Sequence, residues 1–413
     1  MKALYSVTSL LFSTAFLLLG HGMMLTLLPL RAELNDISEF IIGVSGSAYF
    51  SGFIVGCFLV PRMIARVGHI RCFGVLAAAM IITALALEML DFWLAWLSLR
   101  FVIGIAICGL YAVIESWLTS EAAASSRGQV LAIYTFITLA AITAGQFLVN
   151  VGPLDSAMPF SLAAIFMALA IIPLGMTRRI APAPVPQTQT GIRLLYRKSH
   201  SAFFGALLAG LVAGSFWSLG PVYASSTAAQ PSDVTWFMIA AILGGALMQY
   251  PWGWLSDRID RRHVLLALGI GVICSSVAVA LGAQQSWYLL AVAAFGATAM
   301  CIYAIALATA ADVSSSDEFV AIATSVLLTH SIGAAIAPII LGQIMTLLGP
   351  QYLFWSAALI ATGFSVVLAV FSRQPRVVSV EEQTPFSAAA ADAAPASFEL
   401  DPRSAEHEEA LLP

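Results

Sequence analysis

Long apolar stretches alternate with short polar segments from the start of the chain to residue 372. A transmembrane helix needs about 20 predominantly apolar residues, and twelve stretches reach that length. They lie at 5–30, 41–60, 72–90, 94–118, 129–151, 158–176, 201–223, 235–253, 264–283, 287–311, 319–343 and 352–372. The pattern predicts an all-α membrane protein with twelve transmembrane spans, numbered 1 to 12 in chain order.

The composition supports a membrane location and excludes several functions. Only 10% of the residues are charged, against roughly 25% in a soluble domain. The five cysteines show no paired spacing, so we expect neither disulfides nor a metal site. The net charge of −4 does not indicate a nucleic-acid partner. We find no Gly-Lys phosphate-binding loop and no catalytic constellation, so we expect neither a cofactor nor enzymatic activity. We also expect a monomer.

The positions of Lys and Arg predict the orientation. Basic residues accumulate in the cytoplasmic loops of membrane proteins, and one orientation places 16 of the 18 Lys and Arg on that side. Only Arg31 would lie outside, and Arg100 falls within span 4. We therefore expect a multi-pass protein of the bacterial inner membrane with both termini in the cytoplasm.

Two polar segments divide the chain into four parts. Residues 177–200 are rich in Arg and Pro and predict a cytoplasmic linker near anionic lipid headgroups. This linker separates an N-terminal six-helix bundle, 1–176, from a C-terminal one, 201–372. Residues 373–413 are rich in Ala, Pro and acids and predict a disordered cytoplasmic tail. A regulatory docking segment is the alternative for this tail.

A constant offset of 192 residues aligns the two predicted bundles. The matched pairs are Gly22 and Gly214, Thr26 and Ser218, Pro29 and Pro221, Gly52 and Gly244, Arg66 and Arg258, Gly104 and Gly296, and Tyr111 and Tyr303. One register over spans 1 to 4 and 7 to 10 indicates a duplication. Transporters with such parallel repeats bind their substrate near the bilayer midplane between the halves.

The loop after span 8 carries a family resemblance. It reads Gly253-Trp-Leu-Ser-Asp257-Arg258-Ile-Asp260-Arg261-Arg262 and resembles the G-x-x-x-D-R-x-G-R-R loop of the major facilitator superfamily. The loop after span 2 keeps Arg66, Gly68 and Arg71 of this pattern, but Ala65 replaces the acid and Pro61 the first Gly.

Three further segments are similar to the bacterial YcaD-like group of that superfamily. They are Ser47-Ala-Tyr-Phe-Ser-Gly52, Arg100-Phe-Val-Ile-Gly104 and Ile114-Glu115-Ser116. The resemblance covers about residues 5–372. It implies two pseudo-symmetric six-helix bundles that transport by alternating access, and no particular substrate.

The loop after span 8 is predicted to form a cytoplasmic gate. A glycine permits close approach of another helix, and an acid can lie against the positive N-terminus of a partner helix. Asp257 would therefore face the start of span 5 at residues 126–128; an ordinary basic loop is the alternative. The gate candidates are Arg66, Gly68, Arg71, Arg127, Gly253, Asp257, Arg258, Arg261 and Arg262.

Span 4 carries the clearest functional stripe. At 100° per residue, Arg100, Gly104, Tyr111 and Glu115 fall within about 60° of one another. In the resembled superfamily, spans 1, 4, 7 and 10 line the central cavity. A charge within the membrane is costly, so Arg100 predicts a substrate or coupling role, or else a structural tie to backbone carbonyls.

Three titratable residues are candidates for proton coupling. Glu115 lies near the cytoplasmic end of span 4, where an ion pair with Arg66 or Arg127 is expected; proton transfer is its alternative role. His21 and His330 lie within spans, and the ordinary pKa of a histidine is near neutrality. A neutral imidazole bonded to a helix backbone is the alternative for both histidines.

The substrate-cavity candidates are Arg100, Tyr111, Tyr303, Trp217 and Gln146. The repeat mates Tyr111 and Tyr303 are expected to face each other across the axis, with simple packing as the alternative. Together, the patterns predict a secondary active transporter of a small organic solute. Export of a drug-like compound, import of a metabolite and proton coupling stay open, as does a carrier-like sensor or scaffold. Arg100 favours an anionic solute.

Overall fold

The computed structural model describes residues 2–90, 92–121, 127–176, 191–228, 230–371 and 378–386. Within these ranges the fold is helical, and twelve segments are long and apolar enough to cross a membrane. The twelve predicted spans are therefore confirmed. Most of the predicted linker and tail lies outside the described residues.

The first six spans use seven helices. They are α1 (Lys2–Leu34), α2 (Glu39–Val67), α3 (His69–Met89), α4 (Trp93–Glu121), α5 (Arg127–Leu148), α6 (Met158–Leu169) and α7 (Ile171–Gly175). The last two helices together form span 6. The chain turns from α2 into α3 at Gly68, whose φ of 81° lies in the left-handed region that favours glycine.

The second six spans follow a short helix, α8 (Ile192–Lys198), which lies in the predicted linker. They are formed by α9 (His200–Thr227), α10 (Pro231–Ser256), α11 (Arg261–Gly282), α12 (Tyr288–Ala299), α13 (Ile302–Ala311), α14 (Ser316–Leu348) and α15 (Tyr352–Phe371). Several helices extend beyond the apolar stretches, because a helix satisfies its own backbone groups inside and outside lipid alike.

Span 10 is interrupted, although its repeat counterpart, α4, is continuous. The interruption falls at Met300 and Cys301, between α12 and α13. The Cys301 thiol points back to the carbonyl oxygen of Gly245, 3.6 Å away. No Pro or Gly stands at the interruption, so the sequence pattern predicts an unbroken helix there.

The described residues divide into two compact units. The first lies within 2–31 and 48–176, and the second within 32–47 and 191–386. The division assigns residues 32–47, which lie in the predicted N-terminal bundle, to the second unit.

The two units repeat the same helix crossings. In the first unit, a Cβ added at Gly104 would lie 2.0 Å from the carbonyl oxygen of Tyr49. In the second, a Cβ at Gly296 would lie 1.9 Å from that of Ala241. The two glycines are 192 residues apart, and so are Tyr49 and Ala241. The contact of α4 with α2 in the first unit is therefore repeated by the contact of α12 with α10 in the second. Glycine at each crossing allows the backbones to touch.

Candidate functional site

The Arg100 side chain is buried in the first unit, with 4% of its surface exposed. Its guanidinium carbon lies 5.1 Å from the ring centroid of Tyr49 on α2, within cation–π range. Within the described part of the chain, its Nε and Nη1 atoms have no hydrogen-bond partner. The sequence left open that Arg100 bonds backbone carbonyl oxygens of neighbouring helices. These two nitrogen atoms do not make such bonds, so they can still donate hydrogen bonds.

His21 of α1 lies on the same tyrosine. The two rings are stacked with centroids 6.0 Å apart, and Nε2 of His21 lies 3.4 Å from the hydroxyl of Tyr49. Nδ1 of His21 has no hydrogen-bond partner among the described residues. We call His21, Tyr49 and Arg100 the arginine cluster. The structure thus brings two predicted site residues together through Tyr49.

Glu115 occupies the other part of the α4 stripe and is completely buried. Its Oε1 accepts a hydrogen bond of 2.8 Å from the hydroxyl of Tyr134 on α5. Arg66 is exposed, and the side chain of Arg127 lies outside the described part. The ion pair of Glu115 with Arg66 or Arg127 therefore stays a prediction.

His69 and Ser116 form a polar contact that the sequence did not single out. Nε2 of His69 lies 2.9 Å from the Ser116 hydroxyl, and both side chains are buried. The contact joins the start of α3 to α4 beside Glu115. Its one signal in the sequence is a histidine placed directly after Gly68, at the start of an apolar run.

Gln146 connects two helices of the first unit. Its Nε2 donates to the carbonyl oxygen of Gly22 at 2.9 Å, and its Oε1 accepts from the hydroxyl of Thr26. The side chain is completely buried. Both ends of the amide thus hold α5 against α1, and a role of Gln146 in the substrate cavity stays a prediction.

In the second unit, Tyr303 and His330 are in contact. Their rings meet edge to face with centroids 5.2 Å apart, and both residues are buried. Neither nitrogen of His330 has a hydrogen-bond partner in the described ranges. Trp217 is half-buried and packs edge to face on Phe216, with centroids 5.7 Å apart. The approach of Tyr303 to Tyr111 stays a prediction.

The loop between α10 and α11 is organised by Arg261, of which 1% is exposed. Its guanidinium pairs with Asp257 at 2.9 Å and with Asp312, and it also donates to the carbonyl oxygen of Ala308 at 2.9 Å. Asp312, which follows α13, was not predicted as a site residue. Burial raises the pKa of Asp312, and the charge of Arg261 opposes this shift.

The other gate residues have separate partners or lie at the surface. Arg262 pairs with Asp260 at 2.8 Å. The guanidinium of Arg258 stacks on the Trp254 ring at 3.7 Å, and Arg71 is exposed. Among the predicted gate residues, Asp257 and Arg261 therefore form one ion-paired group. Contact of Asp257 with the start of α5 stays a prediction, because the side chains at residues 126–128 lie outside the described part.

Twelve candidate spans, duplicated helix crossings and buried polar clusters on membrane helices are features of a polytopic membrane protein. A family model described as Major Facilitator Superfamily matches residues 10–200 and 202–402. The chain belongs to the major facilitator superfamily, and the resemblance expected from the sequence is confirmed.

Similar proteins support the same assignment. An MFS-type transporter of Yersinia enterocolitica, YE1530, is 28% identical over 88% of this chain and 93% of its own length. The MFS-type transporter YcaD of Escherichia fergusonii is 28% identical over 90% of this chain and 97% of its own length. The similarity to the YcaD-like group is thereby confirmed.

Solved structures agree on the fold. The nucleoside transporter NupG superposes with a TM-score of 0.76 at 12% identity, covering 91% of this chain and 100% of its own. A bacterial homologue of the lysosomal transporter Spinster, in an inward-facing and occupied conformation, gives 0.73 at 13% identity, covering 92% and 98%. At these identities the likeness concerns the fold alone.

Proposed function

We propose that this transporter carries a small organic solute with an anionic group and that Arg100 binds that group. The observation that carries the proposal is the buried guanidinium with two unpartnered nitrogen atoms. An arginine inside a membrane protein is costly and usually faces a partner, a cavity or a pathway. A carboxylate, sulfonate or phosphate can accept two parallel hydrogen bonds from a guanidinium.

The neighbours of Arg100 suit an amphipathic anion. Tyr49 offers an aromatic face and a hydroxyl, and Nδ1 of His21 has an unused hydrogen-bonding position. Transport across the membrane then follows by alternating access, the mechanism expected of this family. The direction of transport is open between export and import.

Proton coupling is a second part of the proposal. Glu115, His21 and His330 are buried titratable groups on membrane helices. The hydroxyl of Tyr134 donates a hydrogen bond to Glu115, and this contact offers a route for the proton of Glu115. A variant of Glu115 or His330 that still accumulates the solute against its gradient would show that the residue does not couple transport to protons.

The proposed orientation places the termini and the α10–α11 loop in the cytoplasm. The one-sided distribution of Lys and Arg supports it. In this orientation Asp257, Arg261 and the start of α5 lie on the cytoplasmic side, where the predicted gate would act.

The test is a thermal-stability screen of purified protein with small organic anions. A ligand at 100 times its dissociation constant stabilises a protein by about 2.7 kcal/mol. We expect a stabilising anion for the wild type, and the same anion should have no effect on Arg100→Gln. Arg31→Gln is the matched control, because Arg31 already bonds the carbonyl oxygen of Leu154 and lies 3.8 Å from Glu88.

Two outcomes would count against the proposal. Equal stabilisation of wild type and Arg100→Gln would remove Arg100 from the binding site. Binding of neutral solutes only, unaffected by either arginine variant, would reject the anionic class while leaving a transporter of another solute.

A further inference from the structure

Residues 378–386 of the C-terminal tail pack against the loop between α10 and α11 in the second unit. The composition predicts a solvated tail, but Phe386 is half-buried here. The segment begins with a 3-10 turn, Val380–Glu382, whose capping box joins Ser379 and Glu382. It then extends to residue 386. The described part of the tail is therefore not fully solvated. Its backbone N–H groups have partners on the loop and at Asp312.

The first set of contacts centres on Thr384. Its backbone N–H and its hydroxyl both donate to Oδ1 of Asp312, each at 3.0 Å. Its carbonyl oxygen accepts a hydrogen bond from Nη2 of Arg261. Three polar groups of one tail residue are thus satisfied by the ion-paired group that organises the loop.

The second set of contacts centres on Phe386. Its backbone N–H donates to Oδ1 of Asp257 at 3.0 Å, the same oxygen that accepts from Arg261. Its ring lies over Gly253, where an added Cβ would be 2.2 Å from Cδ1 of the ring. Only glycine leaves room for the ring in this position. In the sequence, Gly253 was expected to admit a neighbouring helix; the close neighbour in the described part of this unit is a tail residue.

We propose that the α10–α11 loop, together with Asp312 after α13, is a binding site for the chain's own tail, and that residues 378–386 are its ligand. The site recognises an extended segment with a hydroxyl residue followed two positions later by an aromatic one. Asp312 accepts the backbone N–H of Thr384 and Asp257 accepts that of Phe386. The ring of Phe386 lies over Gly253. The tail therefore shares Oδ1 of Asp257 with Arg261, and any other partner of this oxygen competes with the tail.

This arrangement gives the tail a regulatory role in a transporter whose gate uses Asp257. With the tail bound, Asp257 and Arg261 are held in one arrangement within the second unit. With the tail released, Phe386 no longer donates to Asp257, and the carboxylate loses one of its hydrogen bonds. This consequence rests on the proposed gate, whereas the tail-binding site itself does not depend on the gate or on the solute.

Hydrogen–deuterium exchange on the full-length protein tests the site directly. The amides of Thr384 and Phe386 donate to carboxylates, so we expect them to exchange about ten- to a hundredfold more slowly than in a synthetic peptide of residues 378–391. This range corresponds to losing one charge-assisted hydrogen bond on release. Gly253→Ala and Phe386→Ala should each restore fast exchange.

Arg258→Ala is the matched control. Arg258 belongs to the same loop but stacks on Trp254, so its removal should leave the tail amides protected. The Phe386→Ala change lies in the tail itself, so it leaves the helices untouched and stays informative if Gly253→Ala folds poorly. Fast exchange of residues 378–386 in the wild type would overturn the proposal. So would protection that survives both Gly253→Ala and Phe386→Ala.

Discussion

Replacing Gly104 by alanine should destabilise the first unit through one backbone contact. The added Cβ would lie 2.0 Å from the carbonyl oxygen of Tyr49, 2.8 Å from the amide nitrogen of Phe53 and 2.9 Å from the carbonyl carbon of Tyr49. All three atoms belong to the backbone of α2, so no side-chain rotation can relieve the overlap. The helices have to move apart.

The size of this movement follows from the contact distance. The separation of Cβ and oxygen must grow from 2.0 Å to the 3.4 Å of ordinary contact, a shift of about 1.4 Å between α2 and α4. Overpacking of this kind costs about 1–3 kcal/mol, and we expect the upper part of the range because backbone meets backbone. The same shift moves the Tyr49 ring away from Arg100, so anion binding should weaken as well.

The assay is unfolding in mixed micelles titrated with SDS, with the midpoint as readout. Gly296→Ala in the second unit should behave like Gly104→Ala, because its Cβ would lie 1.9 Å from the carbonyl oxygen of Ala241. Gly74→Ala on α3 is the control: an added Cβ there meets no atom within 4 Å. Because alanine has a higher helix propensity than glycine, Gly74→Ala should leave the midpoint unchanged or raise it slightly. Midpoints of Gly104→Ala and Gly74→Ala that coincide would refute the reasoning.

Two further predictions concern buried polar groups. Tyr134→Phe removes the donor to Oε1 of the completely buried Glu115 and should lower the free energy of unfolding by about 1–3 kcal/mol. Tyr250→Phe is the control, because this tyrosine is exposed, and it should be neutral. Equal effects of the two changes would contradict the role of the hydrogen bond. Arg261→Gln removes the cation from the buried Asp312 and should cost about 3–5 kcal/mol at neutral pH. Burial already raises the pKa of Asp312, and the variant raises it further, so the deficit relative to the wild type should grow as pH rises from the wild-type pKa of Asp312 through its higher pKa in the variant. Unfolding at pH 5 and pH 8 checks this sign, and a deficit larger at pH 5 would contradict it.

The sequence predicted the elements of the fold because membrane spans are a local property. Each span needs only a sufficient apolar length, and this can be counted without knowing its neighbours. The repeat was also visible, because the glycines at the α2–α4 and α10–α12 crossings keep one register in both halves. The interruption of span 10 at Met300 was missed, since no Pro or Gly signals it.

The candidate site was predicted in part. Arg100 stood out because a charge inside a span is costly, and His21 because histidine is a common proton carrier. Their connection through Tyr49 could not be predicted, because it depends on the rotation of α1, α2 and α4 about their own axes. The contacts of Gln146 could not be predicted for the same reason: its amide bonds Gly22 and Thr26 of α1.

The sequence by itself thus determined the twelve spans, the duplication and the family resemblance. It also identified the polar residues, such as Arg100, whose placement inside the membrane costs free energy. The tertiary structure decided which of them meet. Arg261 and Asp312 lie 51 residues apart in the chain, and Thr384 a further 72 beyond Asp312, yet their atoms are in hydrogen-bond contact. Apolar length fixes where a helix enters and leaves the membrane, whereas contacts between helices depend on crossing and rotation, and these are set by close packing of the whole unit.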